Sequence, residues 1–416
     1  MNKLEKKIRI IVCQHGARHR YLVPRILDHE GMLAKFYTDS SNFSPLGKLA
    51  KLLGNRAPNA FKRLSNRIVK NVSQHKINSS DANTILELMQ RLLNRNKSGI
   101  DLFVQRHQIL SKRMISWGCE NIDYVYSMYH ENLDFLKYAK KLNTRCIIDV
   151  YISPITDEIM AKEYDLIPEW ANVKSKTTLE KELALWKESV ELSDMLICPS
   201  EWVAEGVLKL SPNSSEKIRV VPYGCSIDYK DEINIPIVGR VLFAGGDPLR
   251  KGLHYLAETT NELGKELEEL DVRIAGDLPD SVTQHPLCTN MNFLGKLSSQ
   301  ELKKEFLSAD VFVLPALSEG FAGVIAEAIS AGCPVIITKE SGAPIISGRE
   351  GIVIPSRNSN ELSKAIKRMV LDRKFRNECS KNCIKQRPFY SEEAWGERLI
   401  ECIENFHQNK GISNES

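Results

Sequence analysis

No apolar run in this 416-residue chain approaches the ~18 residues that a membrane span needs, so no segment is expected to cross a bilayer. The chain has no C-x-x-C pair. Its ten cysteines are scattered, several within strand-like runs such as IRIIVC, RCIIDV and AGCPVII, where a free thiol behaves as a small buried hydrophobe. Cys379 and Cys383 form a C-x3-C pair with no matching second pair, which argues against zinc and for reduced thiols in a cytosolic setting. The opening MNKLEKKIRIIVCQHG starts basic, but its apolar run is short and leads into His15, Gly16, Arg18, His19 and Arg20, not a small-residue cleavage site. It reads as a first buried strand and not as a leader. G-x-G-x-x-G is also missing after that strand, which removes the usual dinucleotide fingerprint.

The composition that remains is that of a soluble globular chain, 42% hydrophobic and 26% charged, long enough for two or three domains. Charge is uneven. From Lys48 to Arg113 there are 14 lysines and arginines against three acids, a net +11, whereas the whole chain carries +4 and the rest therefore −7. A basic segment on an otherwise acidic protein points to an anionic partner. Within it, PNAFKRLSNRIVKN (58–71) sets Phe61, Leu64 and Ile68 on one helical face, flanked by Lys62, Arg63, Arg67 and Lys70. That pattern suits a helix lying on an anionic membrane, or one packed on its own domain with a solvated basic face.

Short β-branched runs alternate with amphipathic stretches. Strands are expected over 8–14, 33–39, 124–129, 145–151, 194–200 and 217–223. A second set is expected over 240–245, 271–276, 291–295, 310–316, 333–338 and 351–356. Such alternation predicts an α/β fold of two parallel sheets, each covered by helices, with a seam near DEINIPIVGR (231–240). The segment 40–113 interrupts the alternation and is expected to be basic and helical.

Ligands of open α/β sheets bind at the carboxyl ends of the strands. After RVLFAG comes GDPLRKG, with Gly245 and Gly246 permitting a tight turn and Arg250 and Lys251 just before a helix. Two cations at a helix start suit a diphosphate; an ordinary loop with solvated cations has the same sequence. After DVFVLPA comes LSEGFAG and the apolar helix VIAEAISAG. The N–H groups of Phe321, Ala322, Gly323 and Val324 are expected open at its start. Glu319 on the loop and Glu327 one turn in can each accept hydroxyls of a sugar or ribose; alternatively both are helix-start acids. At the first strand's end, Gly16 allows close backbone approach to a ligand, with Arg18, His19 and Arg20 in the same mouth. His130 and Glu131 follow YVYSMY, and Asp149 ends another strand, as a ligand contact or a turn cap.

Glu319-Gly320-Phe321 through Glu327 resembles the E-x7-E signature of retaining glycosyltransferase family 4, of the GT-B fold. Further similarity runs in order through SDMLICPSEWVAEGVLK (193–209), KIRVVPYGCSIDY (217–229), VLFAGGDPLRKG (241–252), VRIAGDLPD (272–280), MNFLGKLSSQEL (291–302) and AGCPVIITKESGAP (331–344). It is dense over the C-terminal half and holds only in outline over the N-terminal half. The resemblance implies an acceptor-binding domain over 1–235, a nucleotide-sugar domain over 236–386, an interdomain cleft, and a last helix (387–406) returning to the first domain. It implies catalytic roles for Glu319, His130, Arg250 and Lys251. Nucleotide-sugar contacts would fall on Gly16, Arg250, Lys251, Phe321, Ala322, Gly323 and Glu327. The family's usual G-R after the second domain's first strand is Gly245-Gly246 here, and its E-G-F-G is Glu319-Gly320-Phe321-Ala322.

The expected activity is transfer of a sugar, with retention, from a nucleoside-diphosphate sugar to a glycan or lipid-linked hydroxyl, in surface polysaccharide or glycolipid synthesis. No metal or other cofactor is implied, because no acidic pair stands at a strand end and two cations face the diphosphate. No nucleic-acid partner is expected. The expected location is cytoplasmic, on the inner face of an anionic membrane. A nucleotide-sugar epimerase of the same fold and a catalytically silent sugar-binding subunit are the alternatives.

Overall fold

Among the described residues thirteen strands divide between two sheets, and each sheet keeps its earliest strand in its interior. In the computed structural model, which describes residues 7–53, 64, 67–92, 99–225, 227 and 229–411, the strands lie close to where β-branched runs place them. Strands β1 (Ile10–Gln14), β2 (Leu33–Thr38), β3 (Ile77–Ser79), β4 (Tyr124–Met128), β5 (Arg145–Asp149), β6 (Met195–Cys198) and β7 (Ile218–Val220) form the first sheet, in the order β3-β2-β1-β4-β5-β6-β7. Strands β8 (Arg240–Ala244), β9 (Asp271–Ala275), β10 (Asn292–Gly295), β11 (Val311–Leu314), β12 (Val335–Thr338) and β13 (Gly351–Ile354) form the second, in the order β10-β9-β8-β11-β12-β13. The strand registers that are resolved are all parallel. Their central strands are apolar on both faces: Ile10, Val12, Val125, Ile147, Val241, Phe243, Phe312 and Ile336 are fully buried. That double burial is why these strands read as continuous hydrophobic runs and not as alternating ones.

In each sheet the strand order reverses beside the first strand, between β1 and β4 and again between β8 and β11. Crossovers leave in opposite directions at such a point, so the loops at the strands' carboxyl ends part and leave a crevice. The loops expected to bind ligand are the ones that follow these four strands.

β3 was not expected. It is a short, half-buried edge strand, pairing Ile77 with Phe36, and its Asn78 and Ser79 give it no apolar run to detect. The basic segment 40–113 is thus not wholly helical. The expected helix 58–71 lies mostly outside the described residues; of the rest, 67–70 are not helical, Leu64 and Val69 are buried and Ile68 is exposed. Among the described residues no helix is long and apolar enough to cross a membrane.

By contacts, the described residues up to Val150, with 174–197 and 213–219, form one unit; 151–173, 198–212 and those from Val220 onward form the other. The segment 151–173 joins the second unit through Glu163. This fully buried carboxylate is held by His254 Nε2 at 2.9 Å, Tyr255 Oη at 3.0 Å and Arg357 Nε at 2.6 Å. Burial pushes its carboxyl up, but the bonds from His254 and Arg357 win and hold it below the ordinary range. The last helix, Glu392–Gly411, buries Trp395, Leu399, Ile403 and Phe406. Its Trp395 ring lies 4.8 Å from that of Tyr223, and Arg398 donates to the Pro222 carbonyl at 3.0 Å.

Asp310, immediately before β11, is a second fully buried charge of this unit. It is 0% exposed and pairs with Arg376 (2% exposed) at 3.1 Å and with Arg373 at 2.6 Å, while the Gly239 N–H donates to it at 3.1 Å. Removing one partner of a buried pair strands the other charge, at a cost of about 3–5 kcal/mol. Asp310→Ala is expected to lose that much in urea unfolding monitored by circular dichroism; a loss below about 1 kcal/mol would show that Arg376 finds compensation elsewhere.

Candidate functional site

In the second unit, β8 runs into Gly245, Gly246 and a turn that ends at Gly252, which caps the helix Leu253–Leu263. Gly252 has φ +71, and a Cβ there would stand 2.0 Å from the Pro315 carbonyl oxygen. The turn is therefore pressed against the loop that follows β11. A Cβ on Gly245 would stand 2.1 Å from Lys251 Cδ, so a glycine at 245 leaves room for the lysine stem. That contact explains a glycine at 245. The residues of the turn deliver Arg250 and Lys251 to one carboxylate.

That carboxylate is Glu319. Its Oε2 lies 2.8 Å from Arg250 Nη1 and its Oε1 2.7 Å from Lys251 Nζ. Arg250 also donates from Nε to Asp247 at 2.8 Å and from Nη1 to the Ser318 carbonyl at 3.0 Å. Burial pushes the Glu319 carboxyl up, yet the Lys251 ammonium and the Arg250 guanidinium outweigh it and hold the group below its ordinary value. Both glutamate oxygens thus face cations, where sequence reasoning expected them to face sugar hydroxyls. Each oxygen keeps further lone-pair capacity, so the pairing does not close Glu319 to a hydroxyl donor.

The backbone of the loop is fixed by its neighbours. Glu319 N–H donates to the Glu340 carbonyl at 2.8 Å, and Ser200 Oγ donates to the Gly320 carbonyl at 2.6 Å. A Cβ on Gly320 would stand 1.8 Å from the Tyr151 carbonyl oxygen, so the glycine after Glu319 is required by a backbone crossing. Phe321 and Ala322 are buried and Gly323 is exposed. The helix Gly323–Ala331 that follows has no side-chain cap. One of its expected open donors is in use: Ala322 N–H donates to the Ser341 carbonyl at 3.1 Å. Ala322 therefore drops out as a ligand-binding amide. Glu327 is half-buried on this helix, and its charge helps burial to push up the Cys225 thiol and the Tyr229 hydroxyl.

In the first unit, a buried polar cluster lies at the ends of β1, β2 and β4. Asp39, 2% exposed, accepts from the Gly16 N–H at 3.1 Å, pairs with Arg67 and lies 3.5 Å from His15 Nε2. The His15 ring meets that of His107 at 4.9 Å, and Asn83 lies 3.1 Å from His15 Nε2. Glu131, 1% exposed, is bonded by Arg18 at 3.1 Å while its Oε2 carries no hydrogen bond; burial, over the pull of Arg18 and His15, pushes its carboxyl up. Gly16 has φ +73 and open space where a side chain would go. His19, Arg20 and Tyr21 continue the turn at positive φ (46, 52 and 60), which is costly backbone for side-chain-bearing residues.

His130 also sits at positive φ (66), its N–H donating to Ser189 Oγ at 3.0 Å and its ring 4.1 Å from that of Tyr129. Burial, with help from Lys174 and His107, pushes its pKa down to about 3. Burial likewise lowers His19 and His107 to about 4. These imidazoles are neutral at physiological pH, so they offer hydrogen bonds and not positive charge. Asp149 is structural: it is fully buried and accepts from Tyr126 Oη at 2.6 Å. Asp39, Asn83, Arg67 and His107 were not singled out beforehand as site residues. The only signal was that Asp39 ends a strand.

Residues 238–386 match the family model described as glycosyl transferases group 1. An uncharacterised glycosyltransferase of Methanocaldococcus jannaschii is 26% identical over 226 residues, covering 49% of this chain and 57% of that protein. The chain spans about half the length, or less, of the curated relatives it matches. Among solved structures, sucrose-phosphate synthase from Thermosynechococcus elongatus superposes with a TM-score of 0.63 at 15% identity, covering 97% of this chain and 100% of that one. Anabaena HepE in complex with UDP and glucose gives 0.60 at 15%, covering 96% and 100%. At such identities the likeness shows the fold, two Rossmann-like parallel-sheet domains of the GT-B class.

The depressed Glu319 carboxyl sets a pH dependence. Below its ordinary 4.5 the unfolded chain takes up a proton that the folded chain resists. The stabilisation is whole above that value and is lost as pH falls through the depressed one. The wild type is therefore expected to lose more urea resistance than Glu319→Gln between about pH 7 and about pH 4. Equal losses in the two proteins would mean the ion pair contributes nothing to folding.

Proposed function

We propose that the chain is a retaining glycosyltransferase. It moves a sugar from a nucleoside-diphosphate sugar to a hydroxyl of a glycan or lipid-linked acceptor, in the making of surface polysaccharide or glycolipid. The observation that carries this reading is the convergence of Arg250, Lys251 and Glu319 at the β8/β11 switch point, beside a helix start without a side-chain cap. Loss of a nucleoside diphosphate builds negative charge on its outer phosphate. Two cations that already hold a carboxylate at 2.7–2.8 Å are spaced to hold a phosphate oxygen in the same way. Their positive charge does the work that a divalent ion would otherwise do, so the reading needs no metal. The helix start, which has no side-chain cap, adds its dipole.

Glu327, one turn along that helix, is assigned to the ribose diol, and Glu319 to the sugar being moved. His130, neutral because it is buried, is assigned to a hydroxyl of the sugar or acceptor, with Gly16 near the phosphates. No side chain of this set is a ready nucleophile, which favours attack by the acceptor hydroxyl from the side of the leaving group.

A thermal-shift screen with UDP-, GDP-, ADP- and TDP-sugars tests donor binding, since a ligand at 100 times its Kd adds about 2.7 kcal/mol to the native state. HepE's complex with UDP and glucose makes UDP-glucose the first donor to try. Lys251→Ala and Glu327→Ala are each expected to weaken donor binding by about tenfold to a hundredfold, the worth of a charged hydrogen bond. Unchanged binding and turnover in both variants would overturn the assignment. Release of epimerised sugar without acceptor would favour the epimerase.

A further inference from the structure

One face of the helix Thr156–Leu166 reaches both sides of the ion pair that Glu319 makes with Arg250 and Lys251. Positions 156, 160 and 163 recur at helical spacing and share that face. Met160 and Glu163 on it are buried. At its start, Thr156 Oγ1 lies 2.9 Å from the Oγ of Ser318, the residue before Glu319. The chain just ahead of the helix sets the Tyr151 carbonyl against Gly320, the residue after Glu319. Two turns along, Glu163 Oε2 accepts from Tyr255 Oη at 3.0 Å and lies 2.9 Å from His254 Nε2. His254 and Tyr255 stand in the first turn of the helix Leu253–Leu263, just after Arg250 and Lys251. A single helix thus touches the loop that carries the carboxylate and the helix start that carries the cations.

That helix start lacks a restraint of its own. It has no side-chain cap, and its N-cap is Gly252 at φ +71, a residue with no side chain to limit the backbone. The first turn is fixed from outside, and Glu163 is the group that fixes it. Arg357 completes the grip: its Nε donates to Glu163 at 2.6 Å and its Nη2 to the Ile159 carbonyl at 2.9 Å, from a left-handed backbone (φ +58) that is costly for an arginine. Packing alone does not call for a carboxylate here, because an apolar side chain of the same volume often holds a buried site equally well. A carboxylate bonded by three side chains adds direction to burial.

We propose that Glu163 is a positioning residue of the nucleotide-sugar site: through His254 and Tyr255 it sets the helix start that places Arg250 and Lys251 for the outer phosphate of the donor. The inference rests on the transferase reading and adds to it a residue that acts only through this helix. Misplacing a binding group by about 1 Å can cost on the order of a hundredfold, so a loosened helix start has a measurable consequence.

Binding of UDP, GDP, ADP and TDP, and of the matching monophosphates, is measured by isothermal titration calorimetry on the full chain. The cations face the outer phosphate, so the wild type is expected to prefer a diphosphate to its monophosphate by about tenfold or more. Glu163→Gln keeps the size of the side chain and removes its charge. It is expected to cut that preference by about tenfold while monophosphate affinity stays near wild type. Tyr255→Phe, at a half-buried position, removes one of the three bonds and is expected to cut the preference about threefold; it decides alone if Glu163→Gln does not fold. Arg373→Ala breaks the Asp310 pair at the other end of β11 and controls for lost stability: it is expected to lower urea resistance and leave the preference unchanged. A wild-type preference in folded Glu163→Gln, or in Tyr255→Phe where the former does not fold, overturns the proposal. So does an equal loss of diphosphate and monophosphate affinity, which is what general loosening gives. A wild type that binds none of the four diphosphates overturns the transferase reading, and the proposal with it.

Discussion

A carboxylate buried between two loops organises the second unit's candidate site. Glu319 costs free energy to bury, and it stays ionised because Arg250 and Lys251 reach it from the loop after the neighbouring strand. Neither cation could do so if the β8 turn were wider. Gly245 leaves room for the lysine stem, and Gly252 lets the turn press on Pro315. Neither could the glutamate if its own loop moved, and that loop is held by Glu340, Ser341, Ser200 and the backbone of Tyr151. The pair and the two loops therefore specify each other. A site of this kind is pre-organised: its charges are placed before any ligand arrives, and reorganisation is small when one does.

The same device recurs elsewhere. Glu163 fastens the segment 151–173 to the helix that follows the cation turn, and Asp310 fastens the start of β11 to Arg373 and Arg376. Asp39 does the equivalent in the first unit, joining the Gly16 turn to Arg67. Each carboxylate lies at or near a strand end or spans two segments distant in sequence. Hydrophobic burial makes the sheets, but it is non-directional. These directional bonds fix which segments meet at the sheet ends.

Much of the architecture was legible because parallel sheets are buried on both faces, and twelve β-branched runs mark twelve strands. β3 was missed because an edge strand of Ile77, Asn78 and Ser79 needs no apolar run. The site's chemistry was half legible. Strand ends, glycines and charged residues located the right loops, since topology puts ligands there. Which groups pair was not legible, because Arg250 and Glu319 meet across almost seventy residues of chain, and periodicity reports only local neighbours. The amide of Ala322 was counted as open for the same reason: its acceptor, Ser341, comes from another loop.

The Pro45–Leu53 helix shows the limit most sharply. Leu46, Leu49, Leu52 and Leu53 carry the period of an ordinary amphipathic helix, and that period says where one face is, not which way it turns. The direction is decided by Ser41, whose carbonyl leaves room for nothing larger than a hydrogen at Gly47, and by Asp81, which pins the Leu46 amide. Steric exclusion on one side thus forces apolar area outward on the other. An apolar face set outward by the fold's own contacts costs solvation unless something covers it.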